Sequence, residues 1–306
     1  MMNITKKSYV GIVSALFFFT ALLTGCGGGG GGDSGTSSST TGTISGTAVK
    51  GPVNGGTVTA YRINSNGTRG TQIGTSMTDA QGNFSMQVGD YSGAVMLQLS
   101  GGQYRDEATD RLMNMDQNTV MTALIPDMAS GEMIGNIEIT PLTSMAQEWA
   151  QNMAGGMTQA NISLANRNMG QHFDVGDILT TRPMDPLVQD SGAGANQEQR
   201  NYGMTLAAMS QEAYELMMTY SSGIVTAMMD DASDGKMDGM MGGNEISMGG
   251  MGGMMGGIMM QSTAGTSDLA SAMTTFVQNT TYNRSGLTTM DMQMLIDKLN
   301  ASNGTI

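Results

Sequence analysis

Methionine is the residue type whose abundance and spacing most directly suggest chemistry in this chain. There are 34 among 306 residues. Between Met228 and Met260, 33 positions hold 11 of them. Met240, Met241, Met248, Met251, Met254 and Met255 lie in or beside runs of paired glycines. Thioethers are soft donors that favour Cu(I) and similar ions over hard cations. They are neutral, so binding needs no deprotonation, and glycine spacers allow the backbone to fold around one ion. These six are the candidate ligands for Cu(I) or Ag(I). The plainer reading is general enrichment: Met77, Met86, Met96, Met113, Met115, Met121 and Met145 stand where leucine would be ordinary. Methionine is adaptable packing material, and exposed thioethers also consume oxidants.

Carboxylates form the second group. Asp106, Glu107 and Asp110 cluster after Tyr104. Paired carboxylates can serve acid–base chemistry; the plainer expectation is a solvated turn. Asp230, Asp234 and Asp238, with Gly235, fall at positions 1, 5, 9 and 6 of a calcium-loop register. Ala232 and Met241 then occupy positions 3 and 12, where oxygen ligands belong, so a capped acidic turn competes with calcium. His172 is the single histidine, expected in a loop or at the core edge, and no GxSxG motif accompanies it.

Composition narrows the classes. One Cys leaves no internal disulfide framework, and one His leaves no multi-histidine metal centre within one chain. CxxCH is missing, which excludes covalent haem attachment. The net charge of -13 argues against nucleic acid as a partner.

The N-terminus reads as an address. Lys6 and Lys7 precede the apolar run Val10 to Leu23, too short for a comfortable membrane span and typical of a secretory signal. Leu23-Thr24-Gly25-Cys26 resembles the bacterial lipobox. That resemblance implies cleavage after residue 25 and lipidation of Cys26. Gly27 after the cysteine, where the inner-membrane retention signal has Asp, implies sorting to the outer membrane. Two or three acyl chains suffice for stable anchoring. Residues 26–42, Gly- and Ser-rich, are expected to be a flexible tether of roughly 20–25 Å reach.

Residues 43–105 alternate in strand fashion between turn signals, which predicts a β-sandwich. Gly46, Gly51-Pro52-Val53, Gly56 to Tyr61 and Thr78 to Phe84 resemble the carboxypeptidase regulatory-like domain, which implies a transthyretin-like sandwich used as a non-catalytic module. Residues 106–227 are expected to form a helical domain. Thr140-Pro141 starts a helix with Leu142, Met145, Ala146 and Trp149 on its apolar face. Further helices are expected from Thr158 to about Met169 and from Gln197 to Met218. Residues 228–266 are expected to be a disordered Gly/Met-rich loop. Residues 267–306 are expected to hold two C-terminal helices. The segments around Glu107, Thr140 and His172 are similar to a helical region of bacterial surface lipoproteins. The fold class expected is therefore α+β.

The functional expectation is an outer-membrane lipoprotein and a non-catalytic binding or structural module, with no cofactor required. Its expected partners are the membrane, through the lipid, and envelope proteins, extracellular assemblies or polysaccharide. Cu(I) or Ag(I) binding is the alternative, and a hydrolase using Asp106 and Glu107 is a third reading.

Overall fold

The computed structural model describes residues 41–248, 259–260 and 266–306. Nine strands come first: β1 (Gly42–Ala48), β2 (Thr57–Ile63), β3 (Arg69–Met77), β4 (Asn83–Gly89), β5 (Val95–Ser100), β6 (Gln103–Arg105), β7 (Leu112–Asn114), β8 (Val120–Ile125) and β9 (Met133–Ile139). One sheet has the order β4-β1-β9 and a second β3-β2-β5-β8, while β6 and β7 form a small hairpin. β4 shows why these segments are strands. Phe84, Met86 and Val88 point inward and every intervening residue is exposed, the period-two pattern of a half-buried strand. β5 and β8 are buried along most of their length: β5 lies between β2 and β8 in its sheet, and α1 and α2 pack on β8.

β1 is central, antiparallel to β4 and parallel to β9. Gly46 makes the parallel pairing fit. A Cβ there would collide with the carbonyl of Ile137, its partner on β9.

The helices are α1 (Pro141–Asn152), α2 (Gln159–His172), the short α3 (Ser191–Gly194), α4 (Gln197–Glu215), α5 (Gly223–Ala232), α6 (Ser267–Gln278) and α7 (Thr289–Ala301). Thr140 caps α1 in a reciprocal box with Thr143, and Pro141 opens the first turn. Leu142, Met145, Ala146 and Ala150 are buried against β8, α2 and α5. Trp149 is only half-buried and packs at the core's margin over Gly235. α4 is buried continuously from Asn201 to Ala213 and forms the axis of the helical layer. It packs on α5 and α6, and α7 packs on α6. One hydrophobic core runs from Ile44 in β1 to Leu299 in α7. The described residues belong to a single compact unit. Among them, no helix is long and apolar enough to cross a membrane.

Three expected boundaries shift. The β region continues to Ile139, so the boundary at 105/106 falls inside it: β8 is an edge strand of one sheet and β9 of the other. The helix expected to reach Met218 stops at Glu215, and Met217 adopts a left-handed conformation with φ 55°. The Gly/Met segment expected from 228 opens inside α5, which buries Met228 and Met229. A two-stranded hairpin follows, β10 (Met240–Met241) with β11 (Asn244–Glu245). The rest of the expected loop, 249–258 and 261–265, lies outside the described residues.

The scattered methionines largely behave as leucine substitutes. Met86, Met96, Met115, Met121 and Met145 are buried, Met113 is half-buried, and Met77 is exposed.

A cleft built on a buried Lys–Glu–Ser network

Asp106 and Glu107 are not solvated turn residues. Both are buried, at 1% and 2% exposure. The turn between β6 and β7 folds under α4 and the start of α5, so its carboxylates need internal partners. Ser221 Oγ donates to Asp106 Oδ2, and Thr109 Oγ1 donates to Asp106 Oδ1 at 2.7 Å. Tyr104, also fully buried, shares a hydrogen bond with Ser221 at 2.8 Å and accepts from the Ser222 amide at 2.9 Å. Asp110, the more open member, pairs with Arg105 at 3.0 Å and Arg284 at 2.6 Å. Burial works against its ionised form, but these two guanidiniums outweigh it and hold the carboxyl below the usual range.

Glu107 anchors the more extensive network. Its Oε1 accepts from the Gly51 amide at 2.9 Å. Its Oε2 accepts from Ser210 Oγ at 2.5 Å and from Lys50 Nζ at 3.2 Å. Lys50 also donates to Ser210 Oγ and lies 5.4 Å from the centroid of the Tyr104 ring. Lys50 and Ser210 are 0% exposed. Burial penalises the ammonium, but Glu107, Tyr104 and Asp106 outweigh this and hold the Lys50 pKa above its ordinary value. Burial raises the Glu107 carboxyl against the pull of Lys50. The pair ties the chain leaving β1 to the β6–β7 turn and to α4.

Over this network lies a cleft of about 200 Å³. Glu107 reaches its floor, and Pro52, Gln81, Arg182, Met184 and Asp185 are among its walls. Gly203 of α4 allows the 182–186 segment to approach, since a Cβ there would collide with the Met184 carbonyl. Met184 donates its amide to the Gln199 carbonyl at 3.0 Å, fixing the segment to α4. Burial raises the Asp185 carboxyl, although its Oδ1 accepts from the Leu187 amide at 2.9 Å. Arg182 donates to Thr47 Oγ1. It also borders a second cleft of about 340 Å³ that contains Asn83, Asn136 and Glu138. Glu138 Oε2 is buried without a partner in the described structure, and burial pushes this carboxyl up to about 8. Arg182, Asp185 and Gln81 place donors and acceptors side by side, while Pro52, Pro183 and Met184 supply apolar surface.

The other candidate residues are dispersed. Met240 and Met241 are neighbours on β10, where successive side chains leave on opposite faces. Met248 is 3% exposed and belongs to the hydrophobic core. Met251, Met254, Met255 and Cys26 lie outside the described residues. Asp234 and Asp238 cap the amides of Lys236 and Met240 at 3.1 and 3.2 Å. Asp230 and Asp231 both sit in the last turn of α5, and it is Asp231 that accepts from the Gly239 amide of this loop, at 2.7 Å. No group of three His, Cys, Asp or Glu side chains with metal-holding geometry occurs among the described residues. His172 sits at the core edge, edge-on to Phe173 with ring centroids 4.9 Å apart. Burial pushes its pKa down to about 4, so it is neutral at physiological pH.

Lys50, Glu138, Arg182 and Ser210 did not stand out in the sequence. The local signals were two: Lys50, a charged residue between Val49 and Gly51-Pro52 just beyond β1, and the Pro spacing of Arg182-Pro183-Met184-Asp185-Pro186.

Compared with known proteins, the chain matches no family model, no curated sequence and no solved structure.

Proposed function

We propose that this chain is a cell-envelope lipoprotein, anchored to the outer membrane through an acylated Cys26. In this reading it is a non-catalytic binding module, and the cleft over Glu107 takes a single sugar ring of an envelope polysaccharide. Planar hydrogen-bonding groups such as Arg182, Asp185 and Gln81 match the neighbouring hydroxyls of a sugar ring, and Pro52, Pro183 and Met184 match its apolar face.

The observation that carries the non-catalytic reading is the state of the Lys50–Ser210–Glu107 set. Lysine beside serine and a carboxylate is the most enzyme-like arrangement described above, since a base next to a hydroxyl can generate a nucleophile. Here Ser210 donates to Glu107, accepts from Lys50 and is 0% exposed. The charges satisfy each other inside the protein, so the trio acts as scaffold for the cleft.

Titration of the mature protein with neutral oligosaccharides, followed by amide chemical shifts, tests the reading. Shifts should concentrate at residues 81, 182, 184, 185 and 203, and Arg182→Ala should weaken binding. Turnover of any glycan, ester or peptide, or glycan binding unaffected by Arg182→Ala, would overturn it. Acylation is tested separately by metabolic labelling with a clickable fatty acid, which Cys26→Ser should abolish.

A further inference from the structure

A second, smaller cleft of about 170 Å³ opens between the C-terminal turn of α4 and the first turns of α6. Glu212, Glu215, Leu216, Met248, Asp268 and Ser271 line it. Glu212 is 7% exposed, and its Oε2 is buried with no hydrogen-bond partner in the described structure. The charges acting on it are all of its own sign: Asp268 on α6, Glu215 on its own helix and Asp231 on α5. Burial together with these neighbours pushes the Glu212 carboxyl up to about 8. Buried carboxylates in folded proteins are paired with a cation or hold a proton. The negative end of the α4 dipole also points here, and no basic residue occupies the last turn of that helix. Shape, charge and dipole all ask for a positive ligand.

The kind of cation follows from the lining. The described acidic side chains do not converge as a metal ion requires. An ammonium group has three divergent donors, which suits separated acceptors. Leu216 and Met248 offer apolar wall for an alkyl stem. The volume falls below the roughly 300–1,000 Å³ typical of sites for drug-sized molecules. We propose that this cleft binds a primary ammonium group on an unbranched alkyl chain, with the ammonium against Glu212 and the stem against Leu216 and Met248. Free diamines and the lysine side chain of a partner protein share this chemistry.

Calorimetric titration of the mature protein at neutral pH and low salt tests it. The probes are 1,5-diaminopentane, Nα-acetyl-lysine methylamide and uncharged 1-pentanol. One or both amines should bind, 1-pentanol should not, and binding should release protons, read as an enthalpy that varies with buffer. Response to the diamine alone identifies a free amine as the source, and response to the capped lysine identifies a protein side chain. Glu212→Gln should weaken binding by about tenfold or more. Ser271→Lys, at an exposed position on the rim, should abolish it through its own ammonium while leaving the core intact. Arg182→Ala should have no effect, which separates this cleft from the proposed polysaccharide site. Absence of amine binding, equal binding by wild type and both cleft variants, or calcium binding that depends on Glu212 and displaces the amine would overturn the proposal.

Discussion

Lys50 Nζ lies 3.2 Å from Glu107 Oε2, and both side chains are sealed from solvent although 57 positions separate them in the chain. Buried ion pairs of this kind add little net stability when intact, but removing one partner strands a charge. Lys50→Met should therefore cost about 3–5 kcal/mol. The double variant Lys50→Met with Glu107→Leu should recover a large part of that loss. Urea unfolding of the two single variants and the double variant closes the cycle. Additive losses would show that the pair does not act as a unit.

Stability should fall as pH rises above neutrality. Folding raises the carboxyl pKa values of Glu138 and Glu212 to about 8 and of Asp231 to about 7. Between the ordinary carboxylate range and those values the folded state holds more protons than the unfolded state. The stabilisation from these groups is thus complete at acid pH, falls as pH rises beyond the ordinary carboxylate range and is fully lost once pH passes about 7 to 8. His172 acts in the opposite direction, but only between about 4 and its ordinary value of 6.5. The unopposed window runs from pH 6.5 to about 8, in which Tm should decline. Glu138→Gln should flatten the decline; a Tm constant across that window would contradict the assignment.

Gly203→Ala should perturb the cleft over Glu107 more than the fold. The added methyl meets the Met184 carbonyl, so the 182–186 segment has to move off α4. Overpacking of this type costs about 1–3 kcal/mol. Thermal unfolding should show that modest loss, and chemical shifts at 182–186 should show the displacement. A variant with unchanged shifts in that segment would mean that the contact is not limiting.

The methionines should divide sharply under mild peroxide. Met217, Met290 and Met294 are more than four-fifths exposed, whereas Met237, Met248 and Met260 are buried. Oxidation to the sulfoxide tracks exposure, so peptide mapping should find the first three modified well before the others. By the same argument Met248→Leu should leave any Cu(I) uptake by the chain unchanged, read by competition with a chromogenic chelator. A marked loss of uptake would place Met248 among the ligands despite its core position.

What was legible in the sequence was local. The start of α1 depends on Thr140, Pro141 and Thr143, all within four positions. The turn before β4 depends on Asp79, whose Oδ1 accepts from the amides of Gln81 and Asn83, and on Gly82 at φ 79°. β8 was harder, because its burial on both faces removes the alternation that marks a strand. α5 begins at Gly223 with no side-chain cap, which leaves no start signal. Of the cleft over Glu107, only the acidic cluster was legible. Its scaffold joins Lys50, Glu107 and Ser210 over separations of up to 160 residues, and acidic residues beside a turn ordinarily read as solvated. Only the long-range packing of α4 onto the hairpin turn reverses that.

The central position of β1 has a mechanical consequence under the proposed anchoring. The chain on the N-terminal side of Gly42 leads to Cys26. Any tug between the membrane and the folded body thus enters at the first residue of β1. That strand is held by one ladder to β4 and another to β9, so the load divides between two rows of hydrogen bonds. An edge strand would peel away one bond at a time. A central strand carries the strain directly into the middle of its sheet.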